Sequence, residues 1–293
     1  MSEALPHLLP FAKMEGCQND YVVVDGRLAL PDDLAALARR ACARRAGVGA
    51  DGLLVVGPSE RAAMRMRMFN VDGSEAEMCG NGLRCAVRFA IEEGLLVSEV
   101  ASEETFPISV ETGAGVLGAA VHARGAIWDV ALDMGPPSFA PSTIPTTLAG
   151  PEVLDTALVL GDASVRVTSL AMGNPHTIVF VEDVATAPVT TLGPRIETHE
   201  AFPARTNVAF VEVASRTRLV QRTWERGCGE TLACGTGACA AAVAAMRLGH
   251  CDAEVVVSLR GGDLRVAWQP GEPVRMRGPA RRVFDGQLEL GEG

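Results

Sequence analysis

The chain has 293 residues, 48% of them hydrophobic and 21% charged, with a net charge of −10. That length suits two cores better than one. The acidic balance, with no basic cluster, excludes nucleic acid and anionic membrane surfaces as partners. No apolar run approaches the ~20 residues of a membrane helix. Met1 to Pro10 carries no basic leader, so the expected compartment is the cytoplasm.

In chain order, a polar turn at Gly16–Cys17–Gln18–Asn19–Asp20 feeds a β-branched strand ending at Asp25. Asp32 to Ala46 is predicted helical, with acids in its first turn and arginines in its last. Ala62 to Phe69 is predicted as a strand, and a Cys79-Gly-Asn-Gly82 loop then opens an alanine-containing helix. Ile127 to Asp133 is the next strand. Asp133 to Pro151 carries Pro136, Pro137, Pro141, Pro145 and Pro151 and is read as a linker. Ser164 to Leu170 and Val255 to Leu259 are further strands, and Ala238 to Met246 continues a second helix after Cys234-Gly-Thr-Gly237. Strands and helices mix without regular alternation, so the class is α+β.

Two segments match in register when aligned on Cys79 and Cys234: Phe69 falls on Trp224, Asn70 on Glu225 and Glu75 on Glu230. More weakly, Gly16 to Asp25 resembles Gly173 to Asp183. The offset of 155 residues (234 minus 79) is domain-sized. The expectation is an internal duplication into two like domains.

Each cysteine stands where a helix begins. The first N–H groups of a helix are unpaired and carry partial positive charge, which stabilises a thiolate and offers a cradle for a carboxylate. Glycines let the backbone approach a ligand. Two such loops about a pseudo-two-fold would set two sulfurs on opposite faces of one substrate. That arrangement suits inversion of a carbon beside a carboxylate, one cysteine removing a proton and the other returning one. A disulfide between Cys79 and Cys234 is the structural alternative. Cys42, Cys85, Cys239 and Cys251 are read as small core residues, whereas Cys17 and Cys228 either line the site or close turns. No Cys-x2-Cys spacing points to zinc, so no metal is expected. Lys13 is the only lysine, which argues against a pyridoxal phosphate Schiff base; no cofactor is expected.

Met78-Cys79-Gly-Asn-Gly82, Gly173-Asn-Pro-His176, Trp224-Glu-Arg-Gly227 and Ala233-Cys234-Gly-Thr-Gly-Ala-Cys239 closely resemble the diaminopimelate epimerases, over Phe11 to about Leu290. The resemblance implies two similar domains, each a mostly antiparallel curved sheet around a central helix, related by a pseudo-two-fold with the site in the cleft between them. The first would comprise residues 1–133 with 279–293 and carry Cys79; the second would comprise 134–278 and carry Cys234. It implies cofactor-independent interconversion of LL- and meso-diaminopimelate on the route to lysine, by a homodimer. Cys79 and Cys234 match the proton-transfer pair, and His176 and Glu225 the groups that tune them. Gly80, Asn81, Gly235 and Thr236 match the carboxylate cradle. Asn19, Asn70, Asn174, Asn207, Glu225 and Arg226 match substrate contacts. An acid beside an arginine fork fits the ammonium and carboxylate at the substrate's distal end. Where relatives carry a glutamine this chain has Gly52, and Phe284 replaces a tyrosine of the dimer contact. The rival readings are a hydroxyproline- or proline-type racemase and a non-catalytic amino-acid-binding protein.

Overall fold

Two stretches of the chain repeat one order of elements. The computed structural model describes residues 7–97, 99–100, 105–161 and 163–290. Its contacts divide into two units, Met1–Leu132 with Gly278–Gly293, and Asp133–Arg277.

The first unit contains β1 (His7–Gly16), β2 (Asn19–Asp25), α1 (Leu34–Cys42), β3 (Gly52–Gly57), β4 (Met64–Asn70), β5 (Glu75–Ala76), α2 (Gly80–Glu92), β6 (Ile108–Thr112), β7 (Gly115–Ala123) and β8 (Ile127–Asp133). The pairs β1–β2, β3–β4, β4–β5, β6–β7 and β7–β8 are antiparallel, whereas β2–β3 and β4–β6 are parallel. The second unit contains β9 (Val153–Leu160), β10 (Ala163–Ala171), β11 (Pro175–Val181), α3 (Val189–Glu197), β12 (Asn207–Ser215), β13 (Arg218–Glu225), β14 (Gly229–Thr231), α4 (Gly235–Arg247), β15 (Glu254–Leu259) and β16 (Gly262–Ala267). The order recurs from β10 onward. β10–β11, β12–β13, β13–β14 and β15–β16 are antiparallel, and β11–β12 and β13–β15 parallel. The last strand, β17 (Arg275–Leu290), begins against β16 and, from Arg281 on, lies antiparallel to β1. The expected α+β class and the mostly antiparallel sheets around a helix are what the fold displays.

Each unit is built in layers. In the first, alternation along β2 sends Val22 and Val24 into a core with Leu37, Ala38 and Ala41 of α1, and leaves Tyr21 and Val23 for the opposite face, towards α2. The two inner helices bury most of their surface, so a polar side chain on them, such as Arg84 or Arg88 of α2, must find a partner there. From Gly80 to Ala90 every residue of α2 is buried, and α4 buries an alanine run from Ala238 to Ala245. Small side chains let the strands close tightly about α4. The outer helix of the second unit, α3, packs Val189 and Ile196 with Val179, Val208 and Phe210.

The predicted helix at Asp32–Ala46 is shorter than expected. Asp33 is its N-cap, accepting from the Ala36 N–H at 2.8 Å, and it ends at Cys42, where the Gly47, Val48 and Gly49 N–H groups turn back to the Ala43 and Ala41 carbonyls. Helix α3 escapes sequence reading because Pro188 and Pro194 sit at its N-cap and inside it. The proline-rich segment after Asp133 contains no helix, and Ser138 bridges Ala171. Phe284 packs edge-on against Phe11, centroids 6.1 Å apart. Among the described residues no helix is long and apolar enough to cross a membrane.

Candidate active site

Strand register fixes the internal alignment. Leu53 pairs with both Val22 and Phe69, and Val208 with both Thr177 and Trp224. With Phe69 on Trp224, Val22 falls on Thr177. Tyr21 therefore falls on His176, Gly52 on Asn207 and Asn19 on Asn174, each 155 residues apart like the cysteines (176 − 21, 207 − 52, 174 − 19). Matching Gly16 to Gly173 is thus out of step by two residues. Two details repeat across the offset. Arg67 holds Glu75 with two hydrogen bonds of 2.8 Å, and Arg222 holds Glu230 with bonds of 2.8 and 3.1 Å. These clamp the hairpins β4–β5 and β13–β14, each of which delivers the chain to a cysteine.

Cys79 and Cys234 are the N-caps of α2 and α4, both in extended backbone, at φ −145° and −126°. Neither is in a disulfide. The first intrahelical bonds run from Leu83 N to Cys79 O and from Ala238 N to Cys234 O. By helix geometry the N–H groups of Gly80 and Asn81, and of Gly235 and Thr236, have no acceptor four residues back.

In the first unit, the Tyr21 hydroxyl lies 3.0 Å from the Cys79 sulfur and also hydrogen-bonds Asn19 Oδ1. Cys79 Sγ is 3.8 Å from the same Asn19 oxygen. Asn19 is oriented by Asp51, whose carboxylate accepts from Nδ2 at 2.7 Å and from the Asp20 N–H at 3.1 Å. Arg44 donates to the other oxygen of Asp51 at 2.6 Å, and Lys13 pairs with Asp20 at 2.6 Å. Asn81, 2% exposed, donates to Asn19 Oδ1 at 3.3 Å and accepts from Arg84 at 2.8 Å. Asn70 closes its own turn, Nδ2 donating to Ser74 Oγ at 3.0 Å. A side chain at Gly52 would bring its Cβ to 2.9 Å from the Phe69 carbonyl, so the strands leave no space there.

In the second unit, Cys234 is buried beside Glu225. Burial first, then the Glu225 charge, pushes the Cys234 thiol well above its usual range, against the pull of the Thr236 hydroxyl at 3.6 Å and the Gly237 N–H. The acidifying effect expected of a helix N-terminus does not prevail at Cys234, because desolvation outweighs it. Burial also pushes the Glu225 carboxyl up, opposed by hydrogen bonds from Thr231 and Cys234. A Cβ at Gly237 would lie 3.1 Å from the Cys234 sulfur, so glycine there keeps the thiol in place. The Glu225–Arg226 turn is bolted down. Asn207 accepts from the Arg226 N–H and donates to the Pro175 carbonyl, both at 2.9 Å. Glu197 accepts from the Gly227 N–H at 2.9 Å and the Trp224 indole at 2.8 Å. The Arg226 guanidinium is exposed and donates to Ala204 O at 3.1 Å. Cys17 is buried in the β1–β2 turn and Cys228 is exposed. Among the described residues no cluster suits a metal ion.

His176 is fully buried, and its Nε2 lies 2.8 Å from Asn174 Oδ1. Since that oxygen only accepts, Nε2 carries the proton. Burial, with the Arg226 charge, lowers its pKa from 6.5 to about 3. The unfolded chain therefore takes up a proton below about pH 6.5 that the folded chain refuses until about pH 3, so this histidine favours unfolding increasingly as pH falls through that window. The expected loss is roughly 1.4 kcal/mol per pH unit. Unfolding free energies from urea titration should fall more steeply between pH 6.5 and 4.5 in the native chain than in His176→Gln, by roughly 2–3 kcal/mol in total; parallel curves would refute it.

The solved structures similar to this chain define its class by fold. They include a hydroxyproline epimerase from Agrobacterium vitis with bound trans-4-hydroxy-L-proline (TM-score 0.68, 17% identity, 97% of this chain and 93% of that one). A Bacillus anthracis phenazine biosynthesis protein has TM-score 0.67 at 18% identity, over 97% of this chain and 100% of that one. Closer relatives narrow the class. The chain is 48% identical to the diaminopimelate epimerase of Moorella thermoacetica over 283 residues (96% of this chain, 99% of that one). It is 46% identical to that of Heliobacterium modesticaldum over 290 residues (96% and 100%). The diaminopimelate epimerase family model matches residues 11–140 and 168–283. The chain belongs to the diaminopimelate epimerase family, and is accordingly an isomerase.

Proposed function

We propose that this enzyme interconverts LL- and meso-2,6-diaminopimelate, on the route to lysine, with Cys79 and Cys234 as its two proton-transfer groups. The observation that carries the reading is the duplicated placement of a free cysteine at the N-cap of each largely buried central helix. Two-base inversion needs a thiolate on one face of the α-carbon and a thiol on the other. The thiolate takes the α-proton and becomes a thiol, leaving the electron pair on carbon and its carboxylate. The opposing thiol gives its proton to the other face and becomes a thiolate, so the two sulfurs exchange roles each turnover. The helical N–H groups of Gly80, Asn81, Gly235 and Thr236 stabilise the charge that gathers on the carboxylate. Burial, and then the charge of Glu225, to which it is hydrogen-bonded, push the Cys234 thiol up and favour its protonated form. Glu225 and Arg226, fixed by Asn207 and Glu197, supply the acid and the cation that a doubly zwitterionic substrate demands.

Incubation of the reduced enzyme in deuterated water, with LL-diaminopimelate and separately with hydroxyproline, tests it. Deuterium should enter the α-position of diaminopimelate alone. Exchange confined to hydroxyproline would identify an imino-acid racemase, and exchange in neither would leave a binding protein.

A further inference from the structure

We propose that Tyr21 is a positioning residue for Cys79, the first unit's counterpart of His176, whose hydroxyl hydrogen points to Asn19 when Cys79 is a thiol and turns to the sulfur when it is a thiolate. The proposal rests on the proton-transfer role assigned above to Cys79.

Strand register puts Tyr21 and His176 at equivalent positions of the two copies. At the constant offset, Asn19–Asp20–Tyr21 overlies Asn174–Pro175–His176. The same bond recurs in both copies: the ring two residues beyond the asparagine donates to that asparagine's Oδ1, from Tyr21 to Asn19 and from His176 to Asn174. The sequence motif drew attention to His176 and passed over Tyr21, because a phenol and an imidazole do not align by type.

Geometry carries it further. Tyr21 is completely buried, and its Cζ would be 3.5 Å from a Cβ at Gly82, in the first turn of α2. Its hydroxyl has one hydrogen and two acceptors within reach, the Asn19 oxygen and the Cys79 sulfur. Asn19 cannot rotate to offer its amide nitrogen, because Asp51 holds that nitrogen. When Cys79 is a thiol, its hydrogen points to the tyrosine oxygen and the tyrosine hydrogen to Asn19. When Cys79 is a thiolate, the tyrosine hydrogen moves to the sulfur and Asn19 keeps the Asn81 amide as donor. No proton leaves the phenol in either state. Burial and the neighbouring cysteines push its ionisation well above the usual phenol range, so it remains a donor at every working pH. A reversible enzyme needs Cys79 in both states, and one rotating hydroxyl serves both without moving a heavy atom. On the second unit, Glu225 at Cys234 favours the thiol instead.

Tyr21→Phe keeps the ring and removes the hydroxyl. Loss of one hydrogen bond to a charged group should lower turnover about tenfold or more and raise the acidic limb of the pH–rate profile by about one unit. The shift should be larger in the reaction direction for which Cys79 is the base. Tyr21 is the only tyrosine in the chain, so growth on 3-fluorotyrosine labels this site alone. The more acidic fluorophenol donates more strongly and should move the limb the opposite way. Its fluorine resonance should shift as Cys79 ionises, and that shift should vanish in Cys79→Ala. An unchanged pH profile in Tyr21→Phe, or a fluorine titration that persists in Cys79→Ala, overturns the proposal. Should Tyr21→Phe fail to fold, the fluorine titration decides alone. If the native enzyme exchanges no α-proton, the reading of function fails, while the titration still reports whether Tyr21 senses Cys79.

Discussion

Cys79→Ala and Cys234→Ala should each lose epimerase turnover by about a thousandfold or more, the worth of a placed acid or base in proton transfer, while keeping the native fold. Alanine at an N-cap is weaker than a capping side chain, but neither cysteine makes a side-chain capping bond as judged by cap geometry. Helix and sheet should therefore persist, with near-native circular dichroism and melting temperature. The two variants should differ in one respect. Cys234→Ala also relieves the carboxyl of Glu225 of its sulfur neighbour, so the residual rate of that variant should carry a different pH dependence from that of Cys79→Ala. Turnover measured in both directions, with intact mass to verify the substitution, checks this. Near-native turnover in either variant would end the two-base mechanism.

Arg84→Ala should cost about 3 kcal/mol of stability, the range for emptying a buried hydrogen-bonded position. Arg84 has no exposed surface. Its Nε donates to Pro279 O at 3.0 Å and Nη2 to Asn81 Oδ1 at 2.8 Å. Truncation leaves both acceptors buried without that donor and opens a void at the start of α2. It also frees the Asn81 side chain at the start of α2, so activity should fall as well as stability. Chemical unfolding measures the first effect and the kinetics of the surviving folded fraction the second. A change below about 0.5 kcal/mol, ordinary for surface positions, would show that the arginine is not what ties β17 to α2.

The duplication was legible in the chain because its signature is compact: Cys-Gly-x-Gly, with an aromatic ten residues earlier, occurs in both copies. The helices after the cysteines were legible for the same reason. Less visible was the register upstream. Gly16 and Gly173 invite pairing, but two residues separate β1 from β2 whereas three separate β10 from β11. A glycine match therefore displaced the asparagines from each other. Tyr21 went unnoticed because nothing in its type marks a partner of a thiol; only the fold places its hydroxyl at the sulfur. The side-chain partners of Asn207 and Asn81 were likewise invisible in the sequence: Asn207 bonds Pro175 and Arg226, and Asn81 bonds Arg84 and Asn19. Glu197, which anchors the Glu225–Arg226 turn, lies in the helix that two prolines conceal.

The constant offset of 155 extends beyond single residues. Adding it to Leu34–Cys42 gives Val189–Glu197, and adding it to Gly80–Glu92 gives Gly235–Arg247, so both helices of one copy land on those of the other. Just past the inner helices the agreement stops: 15 residues join α2 to β6 and only six join α4 to β15, a difference of nine. Copies that have diverged until tyrosine stands for histidine and asparagine for glutamate have nonetheless kept one common length from Asn19 to Glu92 and from Asn174 to Arg247. That stretch keeps one fixed length, and the link after it does not. Tags, inserted domains and new chain ends belong after the inner helix, where the two copies already disagree about how much chain is needed.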